Sequence, residues 1–146
     1  MSSIEVKHWS NGNIKSLRIY DDEDLLHNTE GPAAQGWYIN GRRYKRKFCI
    51  NGYHHNTEGP AAQYWYNDGQ ESRREFYING YFNNTEGPAV IEWDKNGVEE
   101  YRRYFINAVE YTEEEFYRLK DTVEVSVEGG KTVRISRQSA ESLNLI

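Results

Sequence analysis

Asn28-Thr29-Glu30-Gly31-Pro32-Ala33 recurs as Asn56-Thr57-Glu58-Gly59-Pro60-Ala61 and again as Asn84-Thr85-Glu86-Gly87-Pro88-Ala89, each copy 28 residues after the last. A fixed period of this length marks a repeat architecture, in which one supersecondary unit stacks against its own copies. The match extends through the whole unit. Trp37, Trp65 and Trp93 share a phase, as do Asn40-Gly41, Asp68-Gly69 and Asn96-Gly97. Phe48, Phe76 and Tyr104 follow, then Ile50-Asn51-Gly52, Ile78-Asn79-Gly80 and Ile106-Asn107-Ala108. The repeats therefore run 28–55, 56–83 and 84–111, and a fainter half-unit over 4–27 places Trp9 with the tryptophans and Asn11-Gly12 with the first turn. Asp21-Asp22-Glu23-Asp24 stands where its second turn would be, as a charge block at an exposed edge.

Asn-Gly between alternating segments signals a two-residue type I′ hairpin, whose central positions both need positive φ. Turns at Asn40-Gly41 and its equivalents place Trp37 opposite Tyr44, Gln35 opposite Arg46 and Ala33 opposite Phe48. In the later units Trp65 then faces Ser72 and Trp93 faces Glu100, with Gln63 facing Arg74 and Ile91 facing Arg102. Small residues thus oppose large aromatics on one face, as close packing demands. The second Asn-Gly pairs Ile50 with Tyr53 and Cys49 with His54, adding a short third strand. Asn-Thr-Glu-Gly turns the chain once more, and Pro32, Pro60 or Pro88 opens the next strand, where a missing N–H is tolerated. The expectation is a mainly β fold: an elongated antiparallel sheet of tandem hairpin/meander repeats, roughly seven to ten strands across.

Composition agrees with this and narrows the function. Leu, Ile, Val and Phe supply only 29 of 146 residues, whereas Tyr and Trp number 12 and 4. Each such ring can bury roughly 150–250 Å², and aromatics favour strands. The net charge of −5 argues against a dedicated polyanion binder. A single Cys49 rules out an internal disulfide framework and suits a reducing compartment. With no apolar leader and no apolar run of spanning length, a cytoplasmic protein without a transmembrane segment is expected.

At the C-terminal end, Ala108 replaces the glycine of the other units, and alanine resists positive φ, so the chain is expected to leave the meander there. Thr112-Glu113-Glu114-Glu115 is a capping box that starts a helix through about Lys120. Val123, Val125 and Val127, then Gly129-Gly130, then Val133 and Ile135 read as a hairpin. A short helix over 136–145 follows, with Leu143 and Ile146 as its apolar contacts. Residues 112–146 are expected to form a helix–hairpin–helix cap over an open sheet edge, in one compact unit with the array. The alternative is a separate partner-binding element.

The pattern Asn-Thr-Glu-Gly-Pro-Ala…Trp…Asn-Gly…Phe-x-Ile-Asn-Gly resembles, as a variant, the MORN-like repeats of small phage, giant-virus and bacterial proteins, over roughly residues 28–118. Glu110-Tyr111-Thr112-Glu113-Glu114-Glu115-Phe116 is similar to the segment closing such arrays. The resemblance implies hairpin sheets used for protein interaction, membrane association or an antitoxin-like role, inside a bacterial or infected host cell. It carries no catalytic set.

Two faces of the sheet are candidates for function. The recurring residues Trp37, Trp65, Trp93, Phe48, Phe76 and Tyr104 read as structural core, with the tryptophan stripe as a ligand platform the alternative. Arg46 and Arg74 lie among these rings, with Glu30, Glu58 and Glu86 as expected carboxylate partners. The opposite face varies between copies and grades from basic to acidic. Its expected partner-binding residues are Tyr38, Arg43, Lys45, Lys47, Tyr64, Tyr66, Arg73, Glu92, Asp94 and Glu99, where tyrosines suit an interface. Alternation sends only part of Arg42-Arg43-Tyr44-Lys45-Arg46-Lys47 to one side, so nucleic acid is a secondary candidate partner and anionic membrane another. His8, His27, His54 and His55 lack recurrent partners, and no metal, cofactor or catalytic set is expected. The sequence-based reading is a non-enzymatic module that binds a protein partner by docking and occlusion, with a homo-oligomer left open.

Overall fold

The computed structural model describes residues 2–146, and its packing divides the chain into two compact units, Met1–Glu110 and Tyr111–Ile146. Nine strands follow one another in chain order across one antiparallel sheet: β1 (Ser3–His8), β2 (Ile14–Tyr20), β3 (Ala34–Trp37), β4 (Arg43–Lys47), β7 (Ala62–Trp65), β8 (Glu71–Glu75), β11 (Val90–Trp93), β12 (Glu99–Ile106) and β13 (Val109–Tyr111). The mainly β meander of 28-residue units is therefore as the sequence predicts. The first two units, however, each give this sheet two strands rather than three, whereas the third gives three because β12 runs on through Ile106 to pair with β13. In the first two the short third element folds off as a separate hairpin, β5 (Cys49–Ile50) with β6 (Tyr53–His54) and β9 (Tyr77–Ile78) with β10 (Tyr81–Phe82).

The two turns of each unit differ although both are written with Asn-Gly or its equivalent. At the first, only glycine takes positive φ: Gly41 at 84°, Gly69 at 93° and Gly97 at 79°. The Gly41 N–H donates to the Tyr38 carbonyl at 2.9 Å and the Tyr38 N–H to the Arg42 carbonyl at 2.8 Å. This is a three-residue loop ending in a glycine bulge, not the expected type I′ turn. Asn40 Oδ1 fastens it by accepting from the Arg42 N–H at 3.0 Å. A second bulge on the return strand absorbs the extra residue. Gln35–Arg46, Gln63–Arg74 and Ile91–Arg102 consequently pair as expected. Near the turn the register is corrected: Trp37 faces Arg43 rather than Tyr44, Trp65 faces Glu71 rather than Ser72, and Trp93 faces Glu99 rather than Glu100.

The second turns are type I′. Asn51 and Gly52 have φ of 49° and 80°, and Asn79 and Gly80 have 49° and 81°. Asn107 and Ala108 adopt the same conformation, at 48° and 68°. The chain thus does not leave the meander at Ala108. Its N–H donates to the Phe82 carbonyl at 3.0 Å, and that bond, repeated from the earlier units, holds alanine where it is disfavoured. Ala108→Gly should raise stability by about 1 kcal/mol by removing a left-handed alanine. Urea denaturation checks this, and an unchanged midpoint would mean that the methyl group makes compensating contacts.

Junctions between units repeat bond for bond. Gly52, Gly80 and Ala108 donate to the carbonyls of Leu26, His54 and Phe82; Asn28, Asn56 and Asn84 donate to those of Cys49, Tyr77 and Phe105. Within Asn-Thr-Glu-Gly-Pro the Asn side chain is used twice: Asn28 Nδ2 donates to the Pro32 carbonyl at 3.1 Å, while Oδ1 accepts from the Glu30 N–H at 3.0 Å. Asn56 and Asn84 do the same. Tyr38 and Tyr66 hydroxyls donate to the Trp65 and Trp93 carbonyls at 2.8 Å. Trp9 fills the corresponding place, its Nε1 donating to the Trp37 carbonyl at 2.9 Å. Trp9 also starts its turn as Tyr38 does, accepting from Gly12, so its counterpart is Tyr38 and not Trp37.

The buried apolar set of the array is small and alanine-rich: Ala33, Ala34, Ala61, Ala62 and Ala89, with Cys49, Val90, Tyr104 and Phe105. Alanine here lets larger side chains close over the sheet. Ala89, Val90 and Phe105 pack with Phe76 and Phe82. His54, Tyr77, Phe82 and Phe105 form a continuous stack with ring centroids 4.4–4.9 Å apart. Trp37, Trp65, Trp93, Phe48 and Phe76 are half-buried, and Tyr104 is buried.

The second unit holds α1 (Glu113–Lys120), β14 (Thr122–Val127), β15 (Lys131–Ser136) and α2 (Arg137–Ser142). The Thr112–Glu115 capping box is formed in both directions, and Val123–Ile135 and Val125–Val133 pair as predicted. The last helix is shorter than expected, and it buries Ala140 while Leu143 and Ile146 stay 64% and 57% exposed. Among the described residues no helix is long and apolar enough to cross a membrane.

Candidate interaction face

The bulge that resets the register also reassigns side chains between the two faces. Arg43, Glu71 and Glu99 stand opposite tryptophans and share their face, against expectation. Arg43 lies over Trp37 at 5.9 Å. Glu71 binds Arg74 at 2.6 and 2.9 Å and accepts from Gln63 Nε2 at 3.0 Å. Glu99 binds Arg102 at 2.7 Å, and that hydrogen bond holds its carboxyl below the usual range. Arg46 lies between Phe48 and Trp65, at 5.5 and 5.7 Å, with its guanidinium on Gln63 Oε1. Burial, then the nearby Arg43 charge, lowers its pKa. Arg74 covers Trp93 at 5.3 Å. The partners of Arg46 and Arg74 are thus Gln63 and Glu71, not the turn carboxylates Glu30 and Glu58. Each cation lies over a ring, where the π-face attracts it.

The opposite face carries two cross-strand rows. One runs Lys7, Ser16, Gly36, Lys45, Tyr64, Arg73, Glu92, Tyr101; the other Glu5, Arg18, Ala34, Lys47, Ala62, Glu75, Val90, Arg103. Its acidic end is internally neutralised. Arg73 binds Glu75 and Glu92 and reaches the Tyr101 hydroxyl at 3.2 Å. Burial works to lower the Arg73 pKa, but the bonds to both carboxylates outweigh it and raise it. Glu75 is buried at 6% exposure; burial of Tyr77, then the Glu75 charge, pushes the Tyr77 hydroxyl well above its ordinary range. Arg103 closes on Glu110 at 2.8 and 2.9 Å.

The basic end is different. Among the described residues Lys45 and Lys47 make no ion pair; Lys45 Nζ lies 5.2 Å from the Tyr44 ring centre and Lys47 Nζ 5.7 Å from that of Tyr64. Tyr44 in turn packs on Tyr38 at 5.4 Å and closes over Gly36, leaving no room for a Cβ there. The structure thus gathers Lys45, Lys47, Tyr64, Arg73 and Glu92 on one face. Tyr38, Tyr66 and Asp94 are turn residues: the two hydroxyls tie neighbouring units, and Asp94 Oδ1 accepts from the Asn96 and Val98 N–H groups. Tyr44 is an addition that strand alternation alone placed against Trp37.

Of the groups with reactive potential, Cys49 is buried at 2% exposure and burial pushes its thiol up. His54 is stacked on Tyr77 at 4.9 Å, and burial, then the Lys47 charge, lowers its pKa. His27 and His55 accept through Nδ1 from the Asn51 and Asn79 N–H groups at 3.0 Å, and Asn83 Oδ1 takes this role for Asn107 at 2.9 Å. The fold and this face define an antiparallel β-repeat protein in which the charges of β8, β11 and β12 are internally neutralised and the lysines of β4 are open. A scan of the chain against protein-family models, and searches of curated proteins and of solved structures, return no match.

Proposed function

We propose that the chain is a non-enzymatic interaction protein that docks an acidic protein surface on Lys45, Lys47, Tyr44 and Tyr64. The observation that carries this reading is the contrast within one face. Arg73 and Arg103 are satisfied internally, whereas Lys45 and Lys47 lie over tyrosine rings with no carboxylate partner. Cations backed by aromatic rings on a rigid sheet are pre-organised for carboxylates and lose little freedom on binding. Docking by a broad sheet face works through coverage, so the effect on the partner is occlusion. The MORN-like resemblance is in keeping with a cytoplasmic, phage-type inhibitor of a host effector or an antitoxin-like role, by analogy alone. RNA or anionic membrane is the second reading. It is weaker because the neighbouring arginines are engaged or turned to the tryptophan face: Arg42 on the Asp68 carbonyl, Arg46 on Gln63 and Arg43 over Trp37.

Lys45→Glu with Lys47→Glu should lower partner retention at least about tenfold, as loss of central interface charges does. Lys131→Glu with Arg137→Glu, at two exposed cations of the second unit, makes the same charge change and should leave retention intact. Quantitative pull-down with mass spectrometry reads this out; equal retention by all three proteins would end the proposal. Retention of RNA or anionic vesicles that falls steeply with salt would move the assignment to the second reading.

A further inference from the structure

We propose that β1 is a self-pairing edge, through which two copies of this chain join antiparallel about a twofold axis at Val6. Among the described residues, β1 is terminal in the nine-stranded order and pairs with β2 alone. Its free side follows from the register. Ile19 of β2 donates to the Ala33 carbonyl and accepts from His27, so the odd residues of β2 bond away from β1. The even residues Ser16, Arg18 and Tyr20 therefore serve Lys7, Glu5 and Ser3. That leaves the backbone N–H and C=O groups of Ile4, Val6 and His8 directed outward, in the alternating pattern a further strand needs. The bulge of this hairpin leaves β1 regular, because Lys7 pairs with Ser16 and His8 with Ile14, putting the extra residue on β2. Ile4 and Val6 are 66% and 42% exposed. No proline interrupts the strand.

Charge selects the partner and the register. With the axis at Val6, Glu5 stands opposite Lys7 of the second copy and Lys7 opposite its Glu5, while Val6 meets Val6 and Ile4 meets His8. Moving the axis to Glu5 sets two carboxylates directly opposite, which is destabilising. Glu5 and Lys7 already point the same way, 3.2 Å apart, so both are presented on the face where cross-strand pairing occurs. A twofold contact of this kind is self-complementary and closes after two copies.

Sedimentation equilibrium of the untagged full chain tests this, and a monomer–dimer equilibrium is expected. Val6→Pro removes only an outward N–H and is tolerated at an edge, so it should abolish the dimer while the circular dichroism spectrum stays unchanged. Glu5→Lys and Lys7→Glu should each weaken dimerisation at least about tenfold, since two cross-strand pairs become repulsive. Mixing the two variants should restore association. A monomer at every concentration up to about 1 mM, where only about −4 kcal/mol would be needed, overturns the proposal. So does a dimer that survives Val6→Pro, or charge variants that associate like wild type.

Discussion

Gly36→Tyr should destabilise the array by about 2–3 kcal/mol, and adding Tyr44→Ser should recover most of that loss. A Cβ at Gly36 would lie 2.4 Å from Tyr44 Cε1 and 2.9 Å from its hydroxyl, so the larger side chain cannot enter while Tyr44 is in place. The chain contains its own rescue. One period later the same two positions hold Tyr64 and Ser72, with the bulk on the other strand. Tyr44→Ser alone should cost about 1–2 kcal/mol through lost packing on Tyr38 and the opened space. The double variant should then be more stable than Gly36→Tyr, a coupling of at least about 1 kcal/mol in a double-mutant cycle by urea denaturation. Additive losses would show that Tyr44 swings aside and that the two units are not packing alternatives.

Arg73→Leu is expected to be the more damaging change, at about 3–5 kcal/mol, because it strands a buried carboxylate. Glu75 is 6% exposed and ion-paired to Arg73, which also serves Glu92. Without the guanidinium, Glu75 has lost its cation while remaining out of water. Adding Glu75→Val should return much of the stability, since a buried pair replaced by apolar residues is often neutral. Position 75 is occupied by Lys47 and Arg103 in the neighbouring units, so the site does not require a carboxylate. Thermal denaturation of the single and double variants decides the matter. If the double variant is no better than Arg73→Leu, the loss lies in the bonds to Glu92 and Tyr101.

The period itself made most of the array legible in the residues. Gln35–Arg46, Gln63–Arg74 and Ile91–Arg102 could be paired from the turn signals because a two-residue turn and a three-residue loop compensated by a bulge give the same register further along the strands. The difference shows only within two residues of the turn, and there it moves Arg43, Glu71 and Glu99 to the tryptophan face. Asn-Gly serves both turn types, since each needs glycine at positive φ and only one needs it at asparagine as well. Ala108 was misleading for a related reason. Local preference disfavours its φ of 68°, but the bond to Phe82 is set by the neighbouring unit and prevails. Likewise Trp9 and Trp37 share a residue type but not a position: Trp9 stands three residues before Gly12 and Trp37 four before Gly41, an offset of one that the loop hydrogen bonds bear out. On the candidate face, the charges of Lys45, Lys47, Arg73 and Glu92 were readable. Which of them are already neutralised was not, because pairing depends on side chains brought together from different units.

The repeated junction bonds have a further consequence. Each of the first two units adds two strands, about 10 Å of sheet, and hands on the same backbone donors and acceptors that it received. Whole units can therefore be gained or lost without disturbing any seam, much as a ruler can be cut at any mark. What changes with each added segment is the inscription, carried by variable positions such as Lys45, Arg73 and Tyr101. Under the proposed docking role, reach and recognition are separate dials: copy number sets the first, and a few side chains between invariant marks set the second.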